Sequence, residues 1–194
     1  METKPVYKTE ETFANIDFTK SLFAKGEYEN CSFLNCNFSD TDLSQIKFSE
    51  CEFTACNLSL AKLADVALRG VKFKECKMLG LRFDQCNTLG LAVGFDQCAL
   101  NHSSFYKAKL KKTVFKNSQL QEVDFTECDL TGSLFDACDL MRATFENSIL
   151  EKTDLRTSFN YSFDPQINRI KKAKFSLPGV LGLLDKYDIE IDRT

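Results

Sequence analysis

Tryptophan is absent from this chain and histidine occurs once, as His102. Acid–base or metal chemistry built on imidazole therefore has a single residue to draw on. Its neighbours Ser103 and Ser104 are the only nucleophiles beside it, and Ser103 falls in an inward slot of the pattern described below, so His102 is expected to be a surface residue. No apolar run approaches the roughly twenty residues of a membrane span, and no transmembrane segment is expected. The opening METKPVYKTEETF lacks the apolar core of a secretory signal, which points to a cytoplasmic protein. A glycine-rich phosphate loop and a metal-ligand cluster are missing as well. No cofactor, metal or catalytic residue is expected, and the chain is not expected to be an enzyme.

Phenylalanine and cysteine are abundant, with 18 Phe and nine Cys in 194 residues. The phenylalanines are spaced. From Phe13 almost every fifth residue is Phe, Tyr, Leu or Met: Phe13, Phe18, Phe23, Tyr28, Phe33 and onward to Phe83. The phase then slips by two residues. LGLRFDQC (79–86) returns as LGLAVGFDQC (89–98), so a slip at 89–94 is expected, with a bulge or small loop at 91–94. The period resumes at Phe95 and runs to Leu155. A period of five fits neither a helix nor a strand. It means stacked units, each burying its face against its neighbours. In groups of four, Phe13, Phe33, Phe53, Phe73, Phe95, Phe115 and Phe135 form one column. A ten-residue turn would be too short to enclose such side chains.

Two residues before each centre sits a small residue, and all nine cysteines, from Cys31 to Cys138, occupy this slot. They are odd in number and carry no secretion signal with them, so reduced thiols acting as small buried hydrophobes are expected.

ECDLT, ACDLM and ACNLS closely match the consensus A(D/N)LXX, and the pattern resembles the pentapeptide-repeat family over about residues 13–163. The resemblance implies an all-β fold: a right-handed quadrilateral parallel β-helix of about 7–8 coils, a solenoid roughly 35–40 Å long. Residues 1–12 form an N-terminal lead-in, either flexible or a short covering strand. Residues 164–194 form a C-terminal capping or dimerisation segment. There RIKKAKF (169–175) reads as a last extended piece. A short helix follows, with Ser176 as cap and Val180, Leu183, Leu184 and Tyr187 on one face. Ile189 and Ile191, alternating with acids, suggest a final strand.

The tail, with DPQINRI and GVLGLLDKYDIEI, resembles the Qnr/MfpA quinolone-resistance and microcin B17 immunity branch of the family. That branch implies dimeric rods that resemble B-form DNA and protect DNA gyrase and topoisomerase IV, two type II topoisomerases. Homodimerisation through the C-terminal segment is implied with it. The alternative is a structural or interaction scaffold for another partner, with no topoisomerase role.

Charge is unevenly distributed. Residues 1–60 carry a net −5, 61–118 a net +7, 119–164 a net −7 and 165–194 a net +2. The basic belt (Lys107, Lys109, Lys111, Lys112, Lys116) has no aromatic stacking platform and the whole chain is acidic, so direct nucleic-acid binding is not expected. The acids Glu122, Asp124, Glu127, Asp129, Asp136, Asp139 and Glu146 are the candidate partner-binding residues. A continuous acidic face would favour a topoisomerase partner; basic side chains on every side would favour the scaffold.

Overall fold

A computed structural model describes residues 5–192. The chain winds into a four-sided coil with one centre residue per side and about twenty residues per turn. Side one is a seven-stranded parallel sheet. Its strands are β2 (Thr12–Ala14), β4 (Ser32–Leu34), β6 (Glu52–Thr54), β8 (Val71–Lys74), β9 (Val93–Asp96), β10 (Val114–Lys116) and β11 (Leu134–Asp136). Phe13 aligns with Phe33, Phe33 with Phe53, and Phe115 with Phe135. Side four begins as a sheet of β1 (Val6–Thr9), β3 (Gly26–Glu29), β5 (Lys47–Ser49) and β7 (Ala67–Arg69). Sides two and three are held by single parallel pairings at the same offset, such as Asp17 with Asn37 and Ser104 with Asp124. The four-repeat turn read from the sequence is the observed one.

The core follows from the column rule. Phe95, Phe115 and Phe135 stack on side one, with centroids 5.1 and 4.7 Å apart. Phe105, Phe125 and Phe145 stack on side three at 5.3 and 5.1 Å. The two columns meet edge to face, as Phe115 does with Phe125 at 5.8 Å and 85°. Both arrangements suit the ring quadrupole: offset stacking within a column and T-shaped contact between columns.

The small slot is more than filler. Where it holds Cys, Ser or Thr, its side chain often donates to the carbonyl of a centre residue one coil back. Cys56 Sγ reaches Phe33 O at 3.3 Å, Cys76 reaches Phe53 O at 3.3 Å, and Ser148 Oγ reaches Phe125 O at 2.7 Å. Cysteine here is a small residue that also supplies a weak donor, which explains why Ser and Thr share the position.

At most corners the residue two after the centre lies in the left-handed region, with Asn35 at φ 50°, His102 at 61° and Lys112 at 58°. This turns the chain from one side to the next.

Several expectations are corrected. The two extra residues do not bulge at 91–94, since Val93–Asp96 is strand β9, with Val71 opposite Val93 and Phe73 opposite Phe95. They are expelled just upstream, between side four and side one. There Asn87 Oδ1 accepts from Leu89 N–H, Leu89 is exposed, and Gly90 turns with φ 75°. Keeping Phe95 in its column outweighs regularity at the corner. Of the two readings of the lead-in, the strand is the one observed, β1 paired with β3; Met1–Lys4 lie outside the described residues. The coil geometry continues past residue 163, with Ile149 paired to Arg169 and Asp154 to Lys174.

The expected C-terminal helix is two 3₁₀ segments, Gly179–Leu183 and Asp185–Tyr187. Ser176 Oγ does accept from Gly179 N–H at 3.1 Å. An added Cβ at Gly179 would collide with the Tyr161 hydroxyl, and one at Gly182 with the Tyr161 carbonyl. The segment therefore crosses the rod end closely, where Tyr161, Phe163 and Leu183 are buried. No final strand forms at Ile189 and Ile191, which are exposed.

Candidate interaction surface

Outward positions flank each centre, so chain position decides which side a charge occupies. The seven candidate acids fall on all four sides. Asp136 is on side one beside Lys116, and Asp139 on side two between Gln119 and Phe159. Asp124 and Glu146 are on side three, Asp129 is on side four, and Glu122 and Glu127 are corners. They do not form one face.

Most are already engaged, often by a residue one coil away. Glu122 sits 3.2 Å from His102 Nδ1 and 3.3 Å from Arg142. Glu127 is 3.5 Å from Lys107 and accepts from the Tyr106 hydroxyl at 3.1 Å. Asp129 pairs with Lys111 at 3.1 Å. Burial works against its ionisation, but bonds from Thr131 and the Lys111 ammonium outweigh that, and its carboxyl lies below the usual range. At Asp139, burial is likewise outweighed by the Gln121 and Asn160 amides. Asp124 accepts from Thr126 N–H and Asp136 from the Thr157 hydroxyl. For Glu146 the structure assigns no side-chain partner.

The acidic face is not continuous. Side three carries Asp42, then Lys62 and the Arg82–Asp84 pair, then Asp124 and Glu146. Basic side chains point from every side: Lys74 and Lys116, Lys77, Lys62 and Arg82, Lys109 and Arg169. Counter-ions at an offset of twenty, such as Lys47 with Glu27 at 2.6 Å, were visible in the sequence only once it was laid out by coil. Each such exposed pair contributes about 0–1 kcal/mol.

His102 is an exposed corner. The Ser103 hydroxyl beside it is buried and donates to Met78 O at 3.0 Å, so the two do not form a nucleophile–base pair. All nine cysteines are free and buried. Burial pushes Cys51 up to about 11 and Cys128 to about 12, far from a reactive thiolate. Among the described residues no group of three or more His, Cys, Asp or Glu is placed to hold a metal ion, and no helix is long and apolar enough to cross a membrane.

Of the tail residues, Leu183 is buried, Leu184 half-buried, and Val180 and Tyr187 exposed. With Leu177, Ile189 and Ile191 they leave apolar surface at the rod end.

A repeat of five, four to a coil, with a small donor two residues before an apolar centre, defines a pentapeptide-repeat solenoid. The family model for the pentapeptide repeat region matches residues 16–93 and 91–159, and the chain belongs to that family. No curated protein matches it in sequence. Among solved structures it is similar to the trypsin-treated form of QnrB1, a plasmid-mediated fluoroquinolone resistance protein. The identity is 18%, with 96% of this chain and 92% of that one covered and a TM-score of 0.66. Full-length QnrB1 matches at 17% identity, 95% and 100% coverage and a TM-score of 0.50. HetL, involved in heterocyst differentiation in the cyanobacterium Nostoc sp. strain PCC 7120, matches at 14% identity over 91% and 89%, with a TM-score of 0.49. At this identity the likeness to QnrB1 shows the fold alone.

Proposed function

We propose that this protein is a non-enzymatic interaction rod that works by binding another protein. The observation that carries this is the division of labour along the chain: inward positions are committed to packing, and the sides vary freely in charge around them. With Ser103 bonded to a carbonyl and all nine thiols buried in the packed slots, nothing at His102 or along the cysteine slots supports catalysis.

The partner to test first is a type II topoisomerase. The tail motif and the whole-length likeness to a fluoroquinolone resistance protein support that choice. The interrupted acidic face argues against mimicry of duplex DNA along the full rod, because DNA carries a charge about every 1.7 Å of its axis. By that criterion a scaffold for a different partner is the second reading, favoured by the basic side chains on every side. Gyrase supercoiling, with and without ciprofloxacin, is titrated with the protein. Rescue or inhibition at low micromolar protein is expected; no effect on either reaction removes the topoisomerase and leaves the scaffold.

A further inference from the structure

Many of the rod's lysines and arginines have a carboxylate within 4 Å, and the described ones that do not are gathered. Arg69, Lys109 and Lys171 lie on side four. Lys112, Lys152 and Lys172 climb the corner between sides four and one, all with φ near 60°. Lys72 and Lys116 are on side one next to that corner. Among the described residues only Lys62 and Lys77 share this lack of a partner elsewhere. Of the acids interleaved in this region, Asp129 is occupied by Lys111, Glu151 by Arg169 at 2.7 Å and Asp154 by Arg156 at 2.8 Å, while Asp96, Asp136, Glu50 and Glu52 have no basic partner within 4 Å among the described residues.

The region also has a seat. Gly94 stands in register between Lys72 and Val114, so the sheet surface is bare there. A groove of about 510 Å³ opens over it, with Lys72, Lys112 and Lys116 on its rim together with Lys74, which lies 3.7 Å from Glu75. Three acids also line it. Asp96 lies in register between Lys74 and Lys116, and Glu50 and Glu52 sit at the N-terminal edge.

We propose that this lysine-rich side docks an extended acidic segment of a protein partner, seated across Gly94. The proposal rests on the interaction-rod reading and adds the surface and the chemistry. Alternate residues of an extended segment lie about 6.6–6.8 Å apart, the same step that separates outward residues such as Lys72 and Lys74 on one strand. Two carboxylates on such a segment therefore meet two ammonium groups of one coil. A long polyanion is disfavoured, because toward the N-terminus the same corner carries Glu50, Asn30 and Glu10 instead of lysine. Of the exposed aromatics, Tyr106, Phe159 and Tyr187 lie off this side and Tyr7 lies on side four but in the first strand of its sheet, coils away, so bases of a nucleic acid would find no stacking platform around Gly94.

The test is fluorescence anisotropy of a labelled oligoglutamate peptide with the full chain at about 50 mM salt, with duplex DNA of equal charge as competitor. The double variant Lys112→Glu/Lys116→Glu, both on the groove rim, is compared with Lys62→Glu/Lys77→Glu, which changes net charge equally. Gly94→Tyr fills the groove without changing charge, and an added Cβ there finds no atom closer than 4.0 Å. The first pair should weaken binding about tenfold or more, the control less than about twofold, and Gly94→Tyr about threefold. Absent peptide binding, equal loss in both charge pairs, an unaffected Gly94→Tyr variant, or preference for DNA would each overturn the proposal. None of these outcomes depends on whether gyrase responds, so the two readings fail separately.

Discussion

A corner residue of this rod holds a backbone conformation that costs an ordinary L-residue about 1–2 kcal/mol relative to the right-handed region. Asn and Gly tolerate it best, yet Ala55, Leu60 and Lys152 occupy it. The cost is borne because the coils on either side fix the turn. Ala55→Asn should stabilise the protein by about 0.5–1 kcal/mol, read as a higher denaturation midpoint. Ala55 is exposed and follows Asn15 and Asn35 up one corner, where Asn35 Nδ2 donates to Asn15 Oδ1 at 2.7 Å, so a third amide extends an existing ladder. The thiols make a second prediction at this scale. Because every cysteine is buried, a disulfide reagent such as DTNB should find essentially no thiol in the native protein and all nine after denaturation in guanidinium. Rapid native reaction of several thiols would contradict the observed packing.

Between residue and whole, the working element is the coil edge where backbones touch. Gly26 is such a case: an added Cβ would overlap the backbone of Val6. Gly26→Ala should therefore detach β1 from β3, exposing Tyr28 and Phe13 and lowering stability by about 1–3 kcal/mol. Hydrogen exchange confined to residues 5–30 would report it; unchanged protection there would show that the strand adapts. Elements were legible in the sequence to different degrees. The Phe and Leu columns were plain, because a centre must recur every five residues whatever surrounds it. The left-handed corners were not, because Lys, Glu, Leu and Ala occupy them as well as Asn and Gly. The loop was misplaced downstream because Val93 and Gly94 read as irregular, while the pull of Phe73 on Phe95 shows only in register. The tail read as a helix because its apolar spacing suits one; what decides its shape is Tyr161 beneath Gly179 and Gly182, a contact between segments far apart in sequence.

For the molecule as a whole, the open question is how its surfaces meet partners. The acidic residues looked like one cluster because they are close in sequence, but the coil carries successive repeats to different sides, and the seven separate around the rod. The rod end presents a different surface, in which Val180, Tyr187, Ile189 and Ile191 remain exposed. If the tail joins two copies, Ile189→Asp with Ile191→Asp should give a monomer by light scattering and leave the melting temperature of the coils nearly unchanged, since neither side chain is part of the core. A wild-type chain that is already monomeric at high micromolar concentration would remove the dimer.

The corner at Leu89–Ala92 has a further consequence. In this molecule sequence distance works as an address, in which five residues change the compass direction and twenty change the height. An insertion that is not absorbed at a corner would swing everything beyond it around the axis, scattering any recognition pattern that spans the break. The two extra residues here leave Phe73 under Phe95 and Lys72 beside Gly94, so the compass is preserved across them. Lengthening by whole coils, or by small corner loops of this kind, is thus the way such a rod can change its reach and keep its bearings.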